Sequence, residues 1–120
     1  MLKRTLVLGA SENPARYSFM AVNRLIMDGH EVIAIGSKKG KIREVEINTE
    51  WKNISDIDTV SLYLRPQLQK NYYEAILKLK PRRVIFNPGT ENPEFEARLK
   101  NAGIEVVEGC TLVMLSTGQF

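Results

Sequence analysis

Directly after an apolar run, Gly9-Ala10-Ser11-Glu12-Asn13-Pro14-Ala15-Arg16-Tyr17-Ser18 gathers small residues, hydroxyls and a cation into one short stretch. That is the chemistry of anion capture. Gly9 permits a tight turn, Ser11, Asn13 and Ser18 offer polar side chains, Arg16 offers charge, and a helix starting here presents free N–H groups. A dinucleotide fingerprint would read Gly-x-Gly-x-x-Gly, and only its first glycine is matched, because Ser11 and Pro14 stand at the other two positions. An ordinary strand–helix turn is the competing reading. The serines, the arginine and the strand before them favour phosphate.

A second cationic step, Gly36-Ser37-Lys38-Lys39, follows the next apolar run. A site for NAD places a carboxylate there to bond the ribose 2′-hydroxyl. Two ammonium groups suit a phosphorylated ribose instead, either the 2′-phosphate of NADP or the 3′-phosphate of coenzyme A. Arg65-Pro66 and Asn87-Pro88-Gly89-Thr90 follow two further runs and extend the list of small, hydroxyl and cationic residues.

Groups for covalent chemistry are scarce. One histidine, His30, and one cysteine, Cys110, cannot build a zinc site. His30 precedes the second apolar run, at the opposite end of the sheet from the loops above, and reads as a solvated turn residue. Glu12, Glu91 and Glu108 are the carboxylates near the loops, and Glu91 suits a helix N-terminus better than acid–base work. No catalytic constellation is expected, and no metal.

The elements that must position these loops are legible. Thr5–Leu8, Val32–Ile35, Val60–Leu64, Val84–Phe86 and the shorter Ile104–Val107 are nearly continuous apolar runs, as strands buried on both faces require. Helical spacing fills the intervals. Val22, Leu25 and Ile26 form one face, with Ser18 expected as N-cap and Gly29 as the stop. Tyr72–Leu79 ends before Pro81, Asn92-Pro93 opens a helix that ends at Gly103, and Thr111–Ser116 closes the chain. Between Lys41 and Asp58, one short edge strand carrying Ile42, Val45 and Ile47 and a helical turn over Asn53–Ile57 are expected. The result is a single α/β domain over 1–120, a Rossmann-like, open, doubly wound parallel sheet of five to six strands with helices on both faces. Such sheets bind ligands at the carboxyl ends of their strands, where all of these loops fall.

Composition narrows the classes further. At 120 residues, 43% hydrophobic and 26% charged, the chain is long enough for one core. Its net charge of +3 contains no run of like charges, so no nucleic-acid tail is expected. The apolar run before Ser11 is shorter than the ~7–15 residues of a signal-peptide core, and none nears the ~20 of a membrane span. A cytoplasmic location is expected.

The order Gly9-Ala10-Ser11-x-x-Pro14-x-Arg16-x-Ser18, then Arg65-Pro66, then Cys110 after the last strand resembles the small stand-alone CoA-binding proteins. With its Gly-Ser-Lys-Lys-Gly turn and Gly89-Thr90-Glu91 step, it is also similar to the CoA-binding domain of the succinyl-CoA synthetase α subunit. The resemblance spans nearly the whole chain, although the stand-alone proteins usually carry Asn-Pro where this chain has Gly36-Ser37. It implies a Rossmann-like domain that binds CoA or acyl-CoA. Gly9–Ser11 and Ser18 would meet the pyrophosphate, Lys38 or Lys39 the ribose 3′-phosphate, and Arg65-Pro66 the adenine, with Gly89-Thr90 nearby. The synthetase's phosphohistidine has no counterpart. The expected function is a non-catalytic nucleotide-binding module; the alternatives are an NADP-binding protein or reductase-like fragment, and an interaction domain with a vestigial pocket, with no partner protein indicated. Cys110 either packs as a small apolar residue or exchanges with the CoA thiol.

Overall fold

The computed structural model describes residues 2–120. Seven strands form one sheet: β1 (Thr5–Leu8), β2 (Val32–Ile35), β3 (Gly40–Ile42), β4 (Val45–Asn48), β5 (Thr59–Leu62), β6 (Arg83–Phe86) and β7 (Glu105–Glu108). Their spatial order is β3-β4-β2-β1-β5-β6-β7, and every pairing is parallel except β3 with β4. The helices are α1 (Tyr17–Met27), α2 (Pro66–Gln69), α3 (Tyr73–Leu79), α4 (Pro93–Asn101) and α5 (Thr111–Ser116), with a 3₁₀ turn over Lys70–Tyr72 between α2 and α3.

Both faces of the sheet are covered, which is why its strands read as unbroken apolar runs. Along β1, Leu6 and Leu8 pack with Phe86, Phe95, Tyr73 and Ile76, while Val7 points the other way toward Val22, Leu25 and Leu115. Tyr73 stacks on Phe95 with ring centroids 4.2 Å apart, and Phe86 meets Phe95 edge-on at 5.9 Å. Burying each such ring stabilises the fold by about 1.5–3 kcal/mol. After β1 the chain runs to β2 on one side, and it later returns to β5 on the other. The switch point of this doubly wound sheet therefore lies at the carboxyl end of β1.

The sheet has seven strands where five to six were expected, because the interval after Lys39 forms a hairpin, not one edge strand. Arg43, at φ 52°, turns the chain between β3 and β4, elements too short and too polar to stand out by periodicity. The helical turn expected over Asn53–Ile57 is absent. Asn53 and Asp56 take φ of 54° and 57°, left-handed values that no helix turn accommodates. Helix α2 and its 3₁₀ extension lack an apolar stripe and were not expected. Gly29 and Gly103 stop their helices with φ of 87° and 79°. No helix among the described residues is long and apolar enough to cross a membrane.

Candidate functional site

Three adjoining hollows form a cleft across the carboxyl ends of β1, β2 and β5. One of about 340 Å³ is lined by Ala10, Ser11, Glu12, Asn13, Arg16, Ser37 and Lys38. A second, of about 450 Å³, shares Ala10, Ser11, Arg16 and Ser37 with it and adds Gly9, Tyr17, Ser18, Tyr63, Leu64, Leu68 and Pro88. The third, about 210 Å³, is a slot between Gly36, Leu64, Leu68 and Tyr72, with Thr49 and Asn71 at its edges. A larger groove of about 830 Å³ runs along α3 past Trp51, Ile54 and Leu77. It lies off the strand ends, so the switch-point cleft is the better candidate.

Helix α1 begins at the edge of the cleft. It begins at Tyr17, so Ser18 is not the N-cap; Arg16 occupies that position in extended conformation, and no side chain caps the helix. Ser18 sits one position into the first turn, buried. The N–H groups of Tyr17, Ser18 and Phe19 have no acceptor among the described residues. Such uncapped donors, with the positive end of the helix dipole behind them, suit an anion. The loop leading to them is shaped internally: Ser11 Oγ accepts from Asn13 N at 3.1 Å, and Asn13 Oδ1 accepts from Ala15 N at 3.0 Å.

Gly9 makes the tight turn expected of it, and Gly36 makes a second close approach. Gly9 N and Ala10 N both donate to Ile35 O, at 2.8 and 2.9 Å, and are not available to a ligand. At φ 95°, Gly9 instead lets the loop pass against Tyr63, whose carbonyl carbon would lie 2.9 Å from an added Cβ. Gly36 is tighter, since a Cβ there would fall 2.2 Å from Ala10 O. The two glycines bring the ends of β1, β2 and β5 close enough to share one cleft. Glu12 reaches across from the first loop and accepts from Lys41 N at 2.8 Å, which fastens that loop to the β3–β4 hairpin.

The remaining expected residues spread out. Lys39 faces a separate hollow with Asn48, Thr49, Glu50, Lys52 and Asn53. Arg65 is exposed at the N-cap of α2 and Pro66 starts that helix; neither lines the three hollows. Gly89 N donates to Glu91 Oε1, and the buried Thr90 hydroxyl donates to Asn87 O at 2.7 Å. From this loop only Pro88 lines the cleft. Cys110 is half-buried at the N-cap of α5, on the carboxyl side of the sheet. His30 is less solvated than expected, because its Nδ1 accepts from Lys3 N at 2.9 Å and its ring meets Phe120 edge-on.

Sequence reasoning missed the apolar wall of Tyr63, Leu64, Leu68 and Tyr72. Tyr63 and Leu64 were counted inside a strand that in fact ends at Leu62. Leu68 is held over the cleft by Gln69, whose Nε2 donates to Leu64 O and Thr90 O, both at 2.8 Å, while its Oε1 accepts from Asn92 Nδ2 at 3.0 Å. Tyr72 leans on Trp51, with ring centroids 6.0 Å apart. Apart from the bond from Gln69 to Leu64, these contacts join distant segments, and no local spacing announces them.

Comparison with known proteins adds a family match and neighbours of the same fold. The family model described as CoA binding domain matches residues 3–116. A crystal structure of an uncharacterized protein is 52% identical, with a TM-score of 0.96 over 100% of this chain and 99% of that one. A protein from Thermus thermophilus is 26% identical, with a TM-score of 0.86 over 99% of this chain and 91% of that one. A hypothetical protein from Pyrococcus horikoshii OT3, at 24% identity and a TM-score of 0.86, shares the fold over 97% of this chain and 83% of that one. No curated protein matches the chain.

Proposed function

This chain belongs to the CoA-binding domain family, and from that premise we propose that it holds CoA or an acyl-CoA in the switch-point cleft as a non-catalytic binding module. The observation that carries the reading is the uncapped start of α1, where Tyr17 and Ser18 share one hollow with Ser11, Arg16 and Ser37 while Lys38 lines the adjoining one. The pyrophosphate sits on the Tyr17, Ser18 and Phe19 N–H groups, with Ser11 and Arg16 beside it. Gly9, Ala10 and Asn13 give the loop its shape. Lys38, with Lys39 at the rim, takes the ribose 3′-phosphate. The slot between Gly36, Leu64 and Tyr72 takes the adenine, and Arg65-Pro66 starts the helix that closes it. Gly89 and Thr90 act at one remove, by fixing the loop that presents Pro88.

Native mass spectrometry of the purified protein tests occupancy, and calorimetry tests identity. CoA is expected to bind at least tenfold more tightly than dephospho-CoA, since a charge-assisted hydrogen bond contributes about 1.5–3 kcal/mol. Equal affinity for the two removes Lys38 and Lys39 from the site. Tighter binding of NADP than of CoA overturns the proposal.

A further inference from the structure

The 340 Å³ hollow has two walls, Ser11, Glu12, Asn13 and Arg16 on one side and Ser37 and Lys38 on the other. The first wall is tied to the rest of the fold by very little. Its hydrogen bonds are local: Asn13 N donates to Ser11 Oγ, Ala15 N to Asn13 Oδ1, and Arg16 N to Asn13 O. Among the described residues, a single hydrogen bond joins residues 11–15 to a distant segment, from Lys41 N to Glu12 Oε2 at 2.8 Å. Lys41 lies in β3, the outermost strand, into which Ser37 and Lys38 lead. The bond therefore connects the roots of the two walls.

Gly40 is the socket for this carboxylate. A Cβ there would fall 2.4 Å from Glu12 Cγ and Cδ and 2.7 Å from its Oε1, and these are the three nearest atoms. Gly40 has no left-handed φ, so the position needs room for Glu12 and not the conformational freedom of glycine. Glu12 forms no ion pair among the described residues. On charge alone, a carboxylate beside a hollow lined by Arg16 and Lys38 opposes an incoming anion. Any benefit it brings to binding comes from geometry.

We propose that Glu12 is a positioning residue for the ligand: seated on Gly40 and bonded to Lys41 N, it sets the width of the hollow by holding one wall against the other. This deepens the CoA reading and rests on it. A phosphate then meets a loop already ordered, and binding is spared the cost of ordering it.

The test is calorimetric titration of CoA into the unaltered protein, Glu12→Ala, Glu12→Gln, Gly40→Ala, and the double variant of Glu12→Ala with Gly40→Ala. Glu12→Ala is expected to bind CoA about three- to tenfold more weakly, the scale of one net hydrogen bond, where charge alone predicts tighter binding. Glu12→Gln keeps an acceptor for Lys41 N and is expected to bind at least as tightly as the unaltered protein. Gly40→Ala displaces the carboxylate and is expected to match the loss in Glu12→Ala, and the double variant should lose no more than either alone. Undiminished affinity in Glu12→Ala or in Gly40→Ala overturns the role assigned to Glu12. So does a Glu12→Gln protein as weak as Glu12→Ala, or a double variant in which the losses add. Each of those results leaves CoA binding itself intact. If the unaltered protein binds no CoA, the CoA reading fails and this proposal fails with it.

Discussion

The two ends of the same sheet use their charges in opposite ways. At the amino ends of the strands, cations are answered from within the protein: Arg4 pairs with Glu31, and Arg82 pairs with Asp58 at 3.0 Å and Glu105 at 3.3 Å. The buried Arg83 donates to Thr59 Oγ1 at 2.8 Å and lies over the Phe120 ring. At the carboxyl ends, Arg16, Lys38, Lys39 and Arg65 form no ion pair among the described residues. A helix start there is uncapped. Residues of one type thus settle structure at one end and leave unspent interactions at the other. What marks the site is this lack of internal answers, not the presence of charge.

Glycine replacement should break the contrast most sharply. At the carboxyl edge, Gly9→Val meets both a left-handed φ and the Tyr63 main chain, so unfolding free energy is expected to fall by about 2–5 kcal/mol, with CoA binding lost. At the amino edge, Gly103→Ala also meets a left-handed φ but has no atom within 4 Å, so a loss of about 1–2 kcal/mol and unchanged binding are expected. Denaturant unfolding with parallel ligand titration reads both. Equal effects on binding would erase the distinction between the edges.

Charge removal comes next in size. Arg16→Ala should weaken CoA about tenfold or more without altering the thermal melt, because the side chain supports nothing else. Arg82→Ala should do the reverse, lowering stability by about 0.5–1 kcal/mol at an exposed network while leaving affinity untouched. Raising the salt concentration should weaken CoA binding more than it weakens the fold. An Arg82→Ala protein with impaired binding would show that the two ends are coupled.

The smallest expected effect is a pH dependence confined to the amino edge. Burial lowers the His30 pKa, with the Lys3 charge adding to it, and the nitrogen that accepts from Lys3 N must be unprotonated to do so. The unfolded chain therefore binds the proton more readily. The contribution of His30 is complete above its ordinary value near 6.5 and is lost as pH falls through the lower folded value. Thermal melts between pH 7 and 5 should decline less in His30→Gln than in the unaltered protein. At more acid pH Asp58 adds a similar loss: burial opposes its ionisation, but hydrogen bonds from Arg82 and Thr59 outweigh that and hold it below 3.8.

The sequence carried the contrast only in part. Strands buried on both faces leave a mark that any apolar run shows, so β1 and β2 were bounded to the residue, and the glycines closing α1 and α4 were identified by a conformation few other residues take up readily. The loop from Gly9 to Ser18 stood out because its polar and small residues are contiguous. That Ile35 O already occupies Gly9 N and Ala10 N is visible only in the register of β1 against β2. Leu68, Tyr72 and the Gln69 brace come together through contacts between distant segments, and the β3–β4 hairpin is too short to betray its period.

The contact between Trp51 and Tyr72 has a practical consequence. Trp51 is the chain's only tryptophan, and its indole rests on the ring that forms one side of the slot. Whatever seats itself against Tyr72 alters the surroundings of that single fluorophore. The protein thus carries its own optical reporter, and a plain emission titration, without label or tag, follows occupancy of the slot.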